Sequence, residues 1–302
     1  MPRPTATAEM QARLMLLVLC LVWGVNWPVV RIALREIPPF SMRTGSLGLG
    51  AATILLVCLA KGRDLHIPTA RAWGHVIVAS VFNVGAFTIV TSFAQLATTT
   101  SRVSVLVYTM PIWSVLLAWL FLGERPTRLQ SAALLLCAAG LGILIYPLAV
   151  AGVPVGILLA LSTAMMWAAG TVYLKWAQID ADPMGVSSWQ ITIAFLMIAA
   201  CAFGYDHGIR LNGAHAGALA ALVFAGIVGN GIAYGLWFAI VERLPAATAS
   251  LGVLSVPVIG VIASVILLGE LPTVSDIIGF ALIFAASACV LLARPTPVEA
   301  TP

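Results

Sequence analysis

The segment LGERPT at residues 122–127 recurs as LGELPT at residues 268–273, an offset of 146 residues. Each copy ends a long apolar stretch, and each has a proline thirteen residues before its glutamate, Pro111 in the first and Pro257 in the second. Self-similarity at a fixed spacing indicates an internal repeat. We therefore expect two homologous halves that each contain this stretch near the end of a helix.

The composition predicts a membrane protein. The chain has 302 residues, of which 61% are apolar and only 9% are charged, whereas soluble domains carry about 25% charged residues. The mean hydropathy is +1.06. Seventeen prolines and 26 glycines are scattered through the apolar runs, which membrane helices tolerate because neighbouring helices satisfy the freed backbone groups. A soluble two-domain protein is therefore excluded.

The apolar runs predict an all-α polytopic fold. A helix needs about 20 apolar residues to cross a bilayer core of about 30 Å. Ten runs meet this requirement, and the predicted spans are 13–34, 40–60, 73–94, 101–122, 129–147, 153–174, 184–204, 215–239, 246–268 and 275–293.

The repeat divides these ten spans into two sets of five. A weaker match at an offset of 144 pairs Trp23 with Trp167 and Pro39 with Pro183. Because five is odd, the second half must enter the membrane upside down relative to the first, the architecture of many alternating-access carriers. The predicted organisation is a tail at 1–12, a first five-helix repeat at 13–147, a second at 153–293 and a tail at 294–302.

Lysine and arginine set the predicted orientation, because they are retained in cytoplasmic loops. With the N-terminus inside, the inner loops and tails hold ten of the 15 basic residues and the outer side holds five. We therefore predict a multi-pass protein of the bacterial inner membrane with both termini cytoplasmic.

The chain resembles the drug/metabolite transporter superfamily, in particular its ten-helix branch with EamA domains. The resemblance rests on the five-plus-five spans and on fourth and ninth spans that contain a proline and end in Leu-Gly-Glu-x-Pro. The Trp-Gly-x-Asn-Trp-Pro at residues 23–28 is also similar to aromatic amino acid exporters of the YddG type. The resemblance implies a membrane transporter, and export as the direction.

Signals for other functions are lacking in the sequence. The four histidines lie in loops or at span ends, the five cysteines form no C-x-x-C, and neither H-E-x-x-H nor G-x-S-x-G occurs. The scattered basic residues form no patch for nucleic acid. We expect no catalytic residues, no metal site, no cofactor and no nucleic-acid partner; the partners are a small molecule and the lipid bilayer.

Charged residues inside the spans are few. No acidic residue lies in the middle third of any predicted span, so a proton relay through a buried carboxylate is not expected. Glu124 and Glu270 at helix ends are expected to act locally, in capping or in contacts with neighbouring helices. Arg43 is the one basic residue predicted inside a span that could bind a carboxylate, but we favour snorkelling to the outer interface. Lys175 is interpreted as a positive-inside anchor.

Polar and aromatic residues near mid-span are the candidates for substrate binding. Trp23, Asn26 and Trp27 share one helical face, and Pro28 frees a carbonyl one turn earlier. An amide in hydrocarbon needs a partner, which a cavity or a neighbouring helix could supply. Pro28, Pro111 and Pro257 are predicted kinks. Further residues expected to line one central cavity, rather than only to pack, are Asn83, Phe87, Thr91, Tyr108, Trp167, Asn230, Tyr234, Trp237 and Ser255.

These features predict transport of a small amphipathic metabolite, above all an aromatic or other hydrophobic amino acid, by alternating access, and the family resemblance implies that the direction is export. A different metabolite or drug in the same fold is one alternative. A membrane scaffold or a lipid-modifying enzyme is another. The sequence leaves the exact cargo, the coupling ion and the oligomeric state open.

Overall fold

The structure is a computed structural model, and it describes residues 6–149, 154–205, 207–241, 243 and 252–292. Within these ranges all regular elements are helical, and they form ten successive helices. The predicted ten-span all-α fold is thereby confirmed. We number them α1 (Ala6–Leu34), α2 (Pro39–Ala60), α3 (Ala70–Ala97), α4 (Thr100–Leu122), α5 (Arg128–Ala149), α6 (Val155–Ala177), α7 (Pro183–Tyr205), α8 (Ala216–Val241), α9 (Ser255–Leu268) and α10 (Val274–Leu292).

Eight of these helices, α1 to α8, are long and apolar enough to cross a membrane by length and composition, and α9 and α10 contain shorter apolar helices. The first residues of the predicted ninth span, 246–251, lie outside the described part. We call the end of the bundle at which α1 begins the N-side, and the opposite end the far side.

Three helices are not uniform along their length. α3 consists of Ala70–Ser80, a π-helical segment Val81–Ala86, and Phe87–Ala97. α8 is built in the same way, with the π-helical segment Ala225–Ile232 between two α-helical parts. α4 is interrupted by a turn at residues 108–109 and resumes at Met110.

The repeated Leu-Gly-Glu segment ends α4 and α9 in the same way. Gly123 and Gly269 lie at φ +70° and +69°, a left-handed conformation in which a side chain would be strained. A proline follows three residues later in both copies, Pro126 and Pro272, and prevents the helix from continuing.

The Pro-Thr that follows starts the next helix. The backbone N–H of Thr127 donates to Gln130 Oε1 at 2.8 Å, and the N–H of Gln130 donates back to Thr127 Oγ1 at 3.2 Å. Thr273 and Asp276 make the same reciprocal pair at 2.9 and 3.2 Å. Both are capping boxes, so the repeated segment encodes the end of one helix and the start of the next.

Helices of one repeat pack mainly against helices of the other repeat. α1 of the first repeat packs on α8 and α9 of the second, and α6 of the second packs on α3 and α4 of the first. α2 lies against α7 and α8, α7 lies against α2 and α3, and α5 pairs with α10. Each contact thus has its counterpart in the other half, as expected for inverted repeats.

Small residues permit the close approach of helices from different repeats. A Cβ atom placed on Gly226 of α8 would lie 2.8 Å from the carbonyl oxygen of Ser46 in α2, and one on Gly140 of α5 would lie 3.0 Å from that of Gly279 in α10.

Large apolar side chains remain exposed on the outside of the bundle, including Leu120, Leu135 and Ile266, which are 73–74% exposed. Lipid is the surrounding in which such side chains are stable.

Candidate functional site

Three aromatic side chains meet where α1 packs on α8. The ring of Trp23 lies 6.0 Å from Tyr234 at an interplanar angle of 71°, and 6.0 Å from Trp237 at 42°. These separations fall in the range of favourable aromatic pairs. The indole N–H of Trp23 donates to the carbonyl oxygen of Gly229 at 3.3 Å, inside the π-helical segment of α8. Trp23, Tyr234 and Trp237 form a ring cluster that joins the two repeats.

Tyr108 reaches the same cluster from the interruption of α4. It packs in one apolar group with Trp23 and Trp237. The carbonyl oxygen of Tyr108 accepts a hydrogen bond from Ser287 Oγ of α10 at 3.1 Å. Pro111 lies in the first turn of the helix that resumes after the interruption, which a proline favours.

The described part of α9 begins in the same way. Leu254 lies in a turn before the helix starts at Ser255, with Pro257 in its first turn. Ser255 is exposed, and its hydroxyl donates to the carbonyl oxygen of Gly252 at 2.8 Å. The thiol of Cys20 in α1 donates to the same carbonyl at 3.3 Å. By contrast, α1 stays helical through Pro28.

Asn26 and Asn83 occupy corresponding junctions between the repeats. A Cβ atom placed on Gly229 would lie 2.5 Å from Asn26 Oδ1, and one on Gly170 would lie 2.1 Å from Asn83 Oδ1. Asn26 is the counterpart of Gly170 at an offset of 144, and Asn83 that of Gly229 at 146. At each junction the first repeat contributes an asparagine and the second a glycine.

The amide oxygens at these junctions are buried. Within the described residues, neither Asn26 Oδ1 nor Asn83 Oδ1 has a hydrogen-bond partner. Asn83 Nδ2 donates to Gln190 Oε1 of α7 at 3.3 Å. Two amide acceptors at the junctions between the repeats are therefore unpaired among the described residues, and each packs against the glycine of the other repeat.

The π-helical segments carry these junctions. Val81–Ala86 contains Asn83, Ala225–Ile232 contains Gly229 and Asn230, and the two segments start at an offset of 144. π-helical turns are frequent at functional sites. Asn230 packs against α2, where a Cβ on Gly50 would lie 2.7 Å from Asn230 Cβ. The π segments are not predictable from the side-chain pattern, whereas the correspondence of asparagine with glycine can be read from the sequence at the two offsets.

Trp27, Phe87 and Thr91 lie elsewhere. Trp27 and Phe87 pack against an apolar cluster formed mainly by α4, α5, α6 and α10. The carbonyl oxygen of Trp27 accepts a hydrogen bond from Gln95 Nε2 at 3.0 Å. Thr91 is 3% exposed, and its hydroxyl donates to the backbone carbonyl of Phe87. The structure therefore does not bring these three residues to the ring cluster.

Trp167 makes no ring contact with the members of the ring cluster. It is half-buried, and within the described residues it makes no ring contact with another aromatic residue. Its backbone carbonyl accepts a hydrogen bond from Thr171 Oγ1 at 2.9 Å.

The far side of the interface between repeats is held by Glu270. Thr100 and Ser101 are the first two residues of α4. Their backbone N–H groups donate hydrogen bonds to the Glu270 carboxylate at 2.7 and 2.9 Å. Arg102 forms a bidentate ion pair with Asp276, in which Nε and Nη2 donate to the two carboxylate oxygens at 2.6 and 3.0 Å. We call these contacts the far-side clamp.

The corresponding glutamate on the N-side is bound differently. Glu124 pairs with Lys175 at 2.6 and 2.8 Å, and both side chains are largely exposed. The counterparts of Thr100 and Ser101 at an offset of 146, Ala246 and Ala247, lie outside the described residues.

Arg43 is placed differently from the expectation. We expected its side chain to snorkel to the outer interface, but it is only 5% exposed and lies between α2 and α3. Its Nε donates to Ser92 Oγ at 2.6 Å. The glycines of α2 draw neighbouring helices close to it, with a Cβ on Gly45 lying 2.9 Å from Leu222, so the guanidinium is enclosed by protein.

Two cavities open in the N-side half. A basin of about 630 Å³ is lined by Lys61, Gly62, Arg63, Asp64, Asp182, Ala239 and Arg243. A second cavity of about 300 Å³ lies between α3, α4 and α6 and is lined by Phe82, Leu117, Phe121, Leu122, Ala169, Val172, Tyr173 and Trp176. Neither is lined by a residue predicted from the sequence.

A metal centre is not formed by the side chains that the structure describes, because no group of three His, Cys, Asp or Glu residues comes together among them.

On the far side, outside the spans, Glu36 accepts a hydrogen bond from the backbone N–H of His215 at 2.7 Å. This bond, strengthened by the His215 ring, lowers the pKa of Glu36 below its ordinary value.

Comparison with known proteins identifies the family. The model of the EamA-like transporter family matches residues 10–146 and matches again over residues 154–292. The chain belongs to the EamA-like transporter family. The two matches coincide with the two halves that the repeat predicted, and they confirm the resemblance to the drug/metabolite transporters.

Individual relatives of this EamA-like transporter are distant but cover nearly its full length. An uncharacterized transporter, YoaV, of Bacillus subtilis is 24% identical over 267 residues, covering 87% of this chain and 90% of the relative. A probable amino-acid metabolite efflux pump of Salmonella typhimurium is 25% identical over 279 residues, covering 89% and 91%. A probable terminal-alkyne amino-acid exporter of Streptantibioticus cattleyicolor is 23% identical over 265 residues, covering 86% of both chains.

A solved crystal structure has the same fold, with a TM-score of 0.65, 23% sequence identity, and coverage of 95% of this EamA-like transporter and 100% of that chain. The family and its relatives are transporters. This confirms that the protein is a multi-pass membrane transporter and not an enzyme. Similarity to the YddG-type subgroup stays a prediction.

Proposed function

We propose that this EamA-like transporter exports small amphipathic metabolites, above all aromatic or other hydrophobic amino acids, by alternating access. The observation that carries the proposal is the ring cluster of Trp23, Tyr234 and Trp237 between the repeats, with the amide oxygen of Asn26 beside it. An apolar ring with one polar end is the kind of molecule that such a mixture of aromatic and amide groups binds.

The polar end of an amino acid suits the asparagines. An ammonium group has three donors, and Asn26 Oδ1 and Asn83 Oδ1 are buried acceptors without a partner among the described residues. Unpaired amide oxygens in a membrane interior are costly, and a cargo that donates to them offsets that cost. The residues predicted from the sequence that we retain as candidates for cargo binding are Trp23, Asn26, Asn83, Tyr108, Trp167, Asn230, Tyr234, Trp237 and Ser255, with Gly170 and Gly229 as close neighbours of the two junction asparagines. Trp27, Phe87 and Thr91 pack elsewhere.

Alternating access is supported by the asymmetry of the two sides. The far-side clamp joins Glu270 to the start of α4, whereas the corresponding Glu124 pairs with an exposed lysine. In an inverted repeat, a contact made on one side in one state has its counterpart on the other side in the opposite state. The described conformation is then the one in which the far side is closed.

The orientation follows the distribution of positive charge, with the N-side in the cytoplasm of a bacterial cell. Ten basic residues belong to the N-side and five to the far side. Of those five, Arg43 is buried and Arg102 is paired with Asp276. Impermeant thiol labelling of single cysteines near Arg125 and Glu270 should modify them from opposite sides. Labelling of both from one side would refute the inverted arrangement.

The names of two relatives support an amino acid as cargo. One is called a probable amino-acid metabolite efflux pump and another a probable terminal-alkyne amino-acid exporter. The different-class alternatives, a scaffold and a lipid-modifying enzyme, find no support in the family. A sugar, a nucleotide or a cationic drug remains the competing cargo.

Counterflow in proteoliposomes tests the proposal. Vesicles preloaded with unlabelled phenylalanine should accumulate labelled phenylalanine, tryptophan or leucine, and a Trp23→Ala variant should lose most of this uptake. Trp119→Ala is the matched control, since Trp119 is 51% exposed on the outside of the bundle. Exchange of another class of solute without exchange of amino acids would refute the proposed cargo.

A further inference from the structure

Arg43 is a buried cation about one turn inside the apolar helix α2. It lies four residues after the start of α2 and is 5% exposed. The one hydrogen bond of its side chain to the residues that the structure describes runs from Nε to the hydroxyl of Ser92 at 2.6 Å. No carboxylate in the described part of the chain forms an ion pair with it.

Arg102, another arginine of the far side, shows the usual structural solution. Arg102 donates from Nε and Nη2 to both oxygens of Asp276, at 2.6 and 3.0 Å. Such a pair compensates for the loss of hydration, whereas a single neutral hydroxyl does not, and an uncompensated buried charge destabilises the folded protein. Arg43 is therefore poorly explained as a residue that only holds helices together.

The position of Arg43 relates it to the candidate site. Arg43, Leu47, Gly50 and Ile54 recur at helical spacing and share one face of α2. Gly50 is in close contact with Asn230 of α8, and Leu47 and Ile54 belong to the apolar group against which Tyr234 packs. Arg43 lies seven residues from Gly50, about 10 Å along the helix axis. It therefore lies on the same inward face, displaced toward the far side.

We propose that Arg43 binds the carboxylate of the cargo, a step that rests on the proposed function. With Nε held by Ser92, the two terminal nitrogens can donate in parallel to both oxygens of a carboxylate, the geometry that favours arginine over lysine. The apolar end of the cargo then lies toward Asn230 and Tyr234. Arg43 selects zwitterions and carboxylates over amines and amides of the same shape.

A comparison of three probes tests this assignment. L-phenylalanine, L-phenylalaninamide and phenethylamine share the ring and the amino group, but only the first has a carboxylate. Proteoliposomes with the wild type should take up phenylalanine in preference to the other two. In Arg43→Gln the apparent affinity for phenylalanine should fall at least tenfold, while uptake of the two amines should not fall. Arg210→Gln is the matched control, because Arg210 is exposed in a far-side loop.

The variants separate binding from folding. Thermal unfolding of Arg43→Gln should be unchanged or raised, because a buried charge is removed. If Arg43→Gln does not accumulate, Arg43→Lys carries the test, since it keeps the charge but loses the paired donors. Equal losses for all three probes, or unchanged phenylalanine affinity in a folded variant, would overturn the role of Arg43.

Failure of the proposed function is recognised separately. If the wild type transports no amino acid, the proposed cargo is wrong. Stabilisation by phenylacetate, a carboxylate without an amino group, then still tests Arg43. An increase in the unfolding temperature of the wild type that is absent in Arg43→Gln supports the assignment, and an equal increase in both overturns it.

Discussion

Glu270 accepts a hydrogen bond from the backbone N–H of Thr100 at 2.7 Å, so the loop after α9 in the second repeat caps the start of α4 in the first. The bond is charge-assisted and is joined by two more from Ser101 at 2.9 Å. Capping of this kind contributes about 1 kcal/mol to the stability of a helix. The stability of the far side is therefore tied to one carboxylate 170 residues away in sequence.

Glu270→Gln should loosen the far-side clamp. The loss of about 1 kcal/mol predicts about fivefold faster hydrogen exchange for the backbone amides of the first turn of α4, measured in lipid nanodiscs. Glu124→Gln is the control, because its ion pair with Lys175 is largely exposed and should leave this exchange unchanged. Equal exchange in the wild type and Glu270→Gln would show that the cap does not hold this side.

Gly170→Ala should strain the contact between α6 and α3. The added Cβ would lie 2.1 Å from Asn83 Oδ1, and overpacking of this kind costs about 1–3 kcal/mol. Gly142→Ala is the control, since a Cβ there would meet nothing within 4 Å. Thermal unfolding measures both effects.

The strain at Gly170 has a specific partner. Combining Gly170→Ala with Asn83→Ala removes the clashing amide, so the double variant should be more stable than the sum of the single changes predicts. If the losses of stability in the two single variants simply add in the double variant, the strain of Gly170→Ala does not come from its contact with Asn83.

Trp167→Ala should reduce transport of aromatic cargo with little change in the unfolding temperature. Trp167 is half-buried and makes no ring contact with another aromatic residue in the described part. Trp73→Ala is the contrasting variant, because Trp73 packs edge-on against Trp189 at 4.9 Å and its loss should cost about 3–5 kcal/mol. Joint loss of stability and transport in Trp167→Ala would indicate a packing role instead.

Transport down a cargo gradient should persist when the proton gradient is collapsed. The reason is that no acidic residue lies in the middle third of a predicted span, where a proton relay would be expected. Counterflow with and without a protonophore measures this. A strict requirement for a pH gradient would assign proton transfer to a glutamate at a helix end, with Glu270 the first to be replaced.

The contact between Glu36 and His215 predicts a pH-dependent stability. The lowered pKa of Glu36 means that its contribution is present above the ordinary value of 4.5 and is lost as pH falls through the lower folded-state value. The unfolding temperature of Glu36→Gln should therefore be below that of the wild type at pH 6, and the difference should close toward pH 3. A constant difference across this range would contradict the assignment.

Much of the fold was predictable because membrane spans are set by the length of apolar runs. The sequence also marked the helix boundaries at Gly123 and Gly269, where a repeated glycine coincides with the end of an apolar run. The partner of Glu270 was not predictable. A helix-end glutamate signals local capping, but nothing in the sequence relates it to a helix start in the other repeat.

The site was predictable only in part. The residues predicted to converge on one central cavity are Trp23, Asn26, Trp167, Asn230, Tyr234 and Trp237. Of these, Trp23 is in ring contact with Tyr234 and with Trp237, and the shared cavity stays a prediction. Asn83, Phe87 and Thr91 were assigned to one face on the assumption of 3.6 residues per turn. The π-helical segment Val81–Ala86 breaks that period ahead of Phe87, and no side-chain pattern announces it.

The paired π-helical segments in α3 and α8 also bear on how the two halves have diverged. A π turn accommodates one residue more than an α turn. The segments start 144 residues apart, within two residues of the offset that pairs Asn83 with Gly229, so both halves carry a widened turn at nearly the same level of the corresponding helix. The junctions in this region pair an asparagine of the first half with a glycine of the second. The two copies therefore differ more in side chains than in backbone at this level.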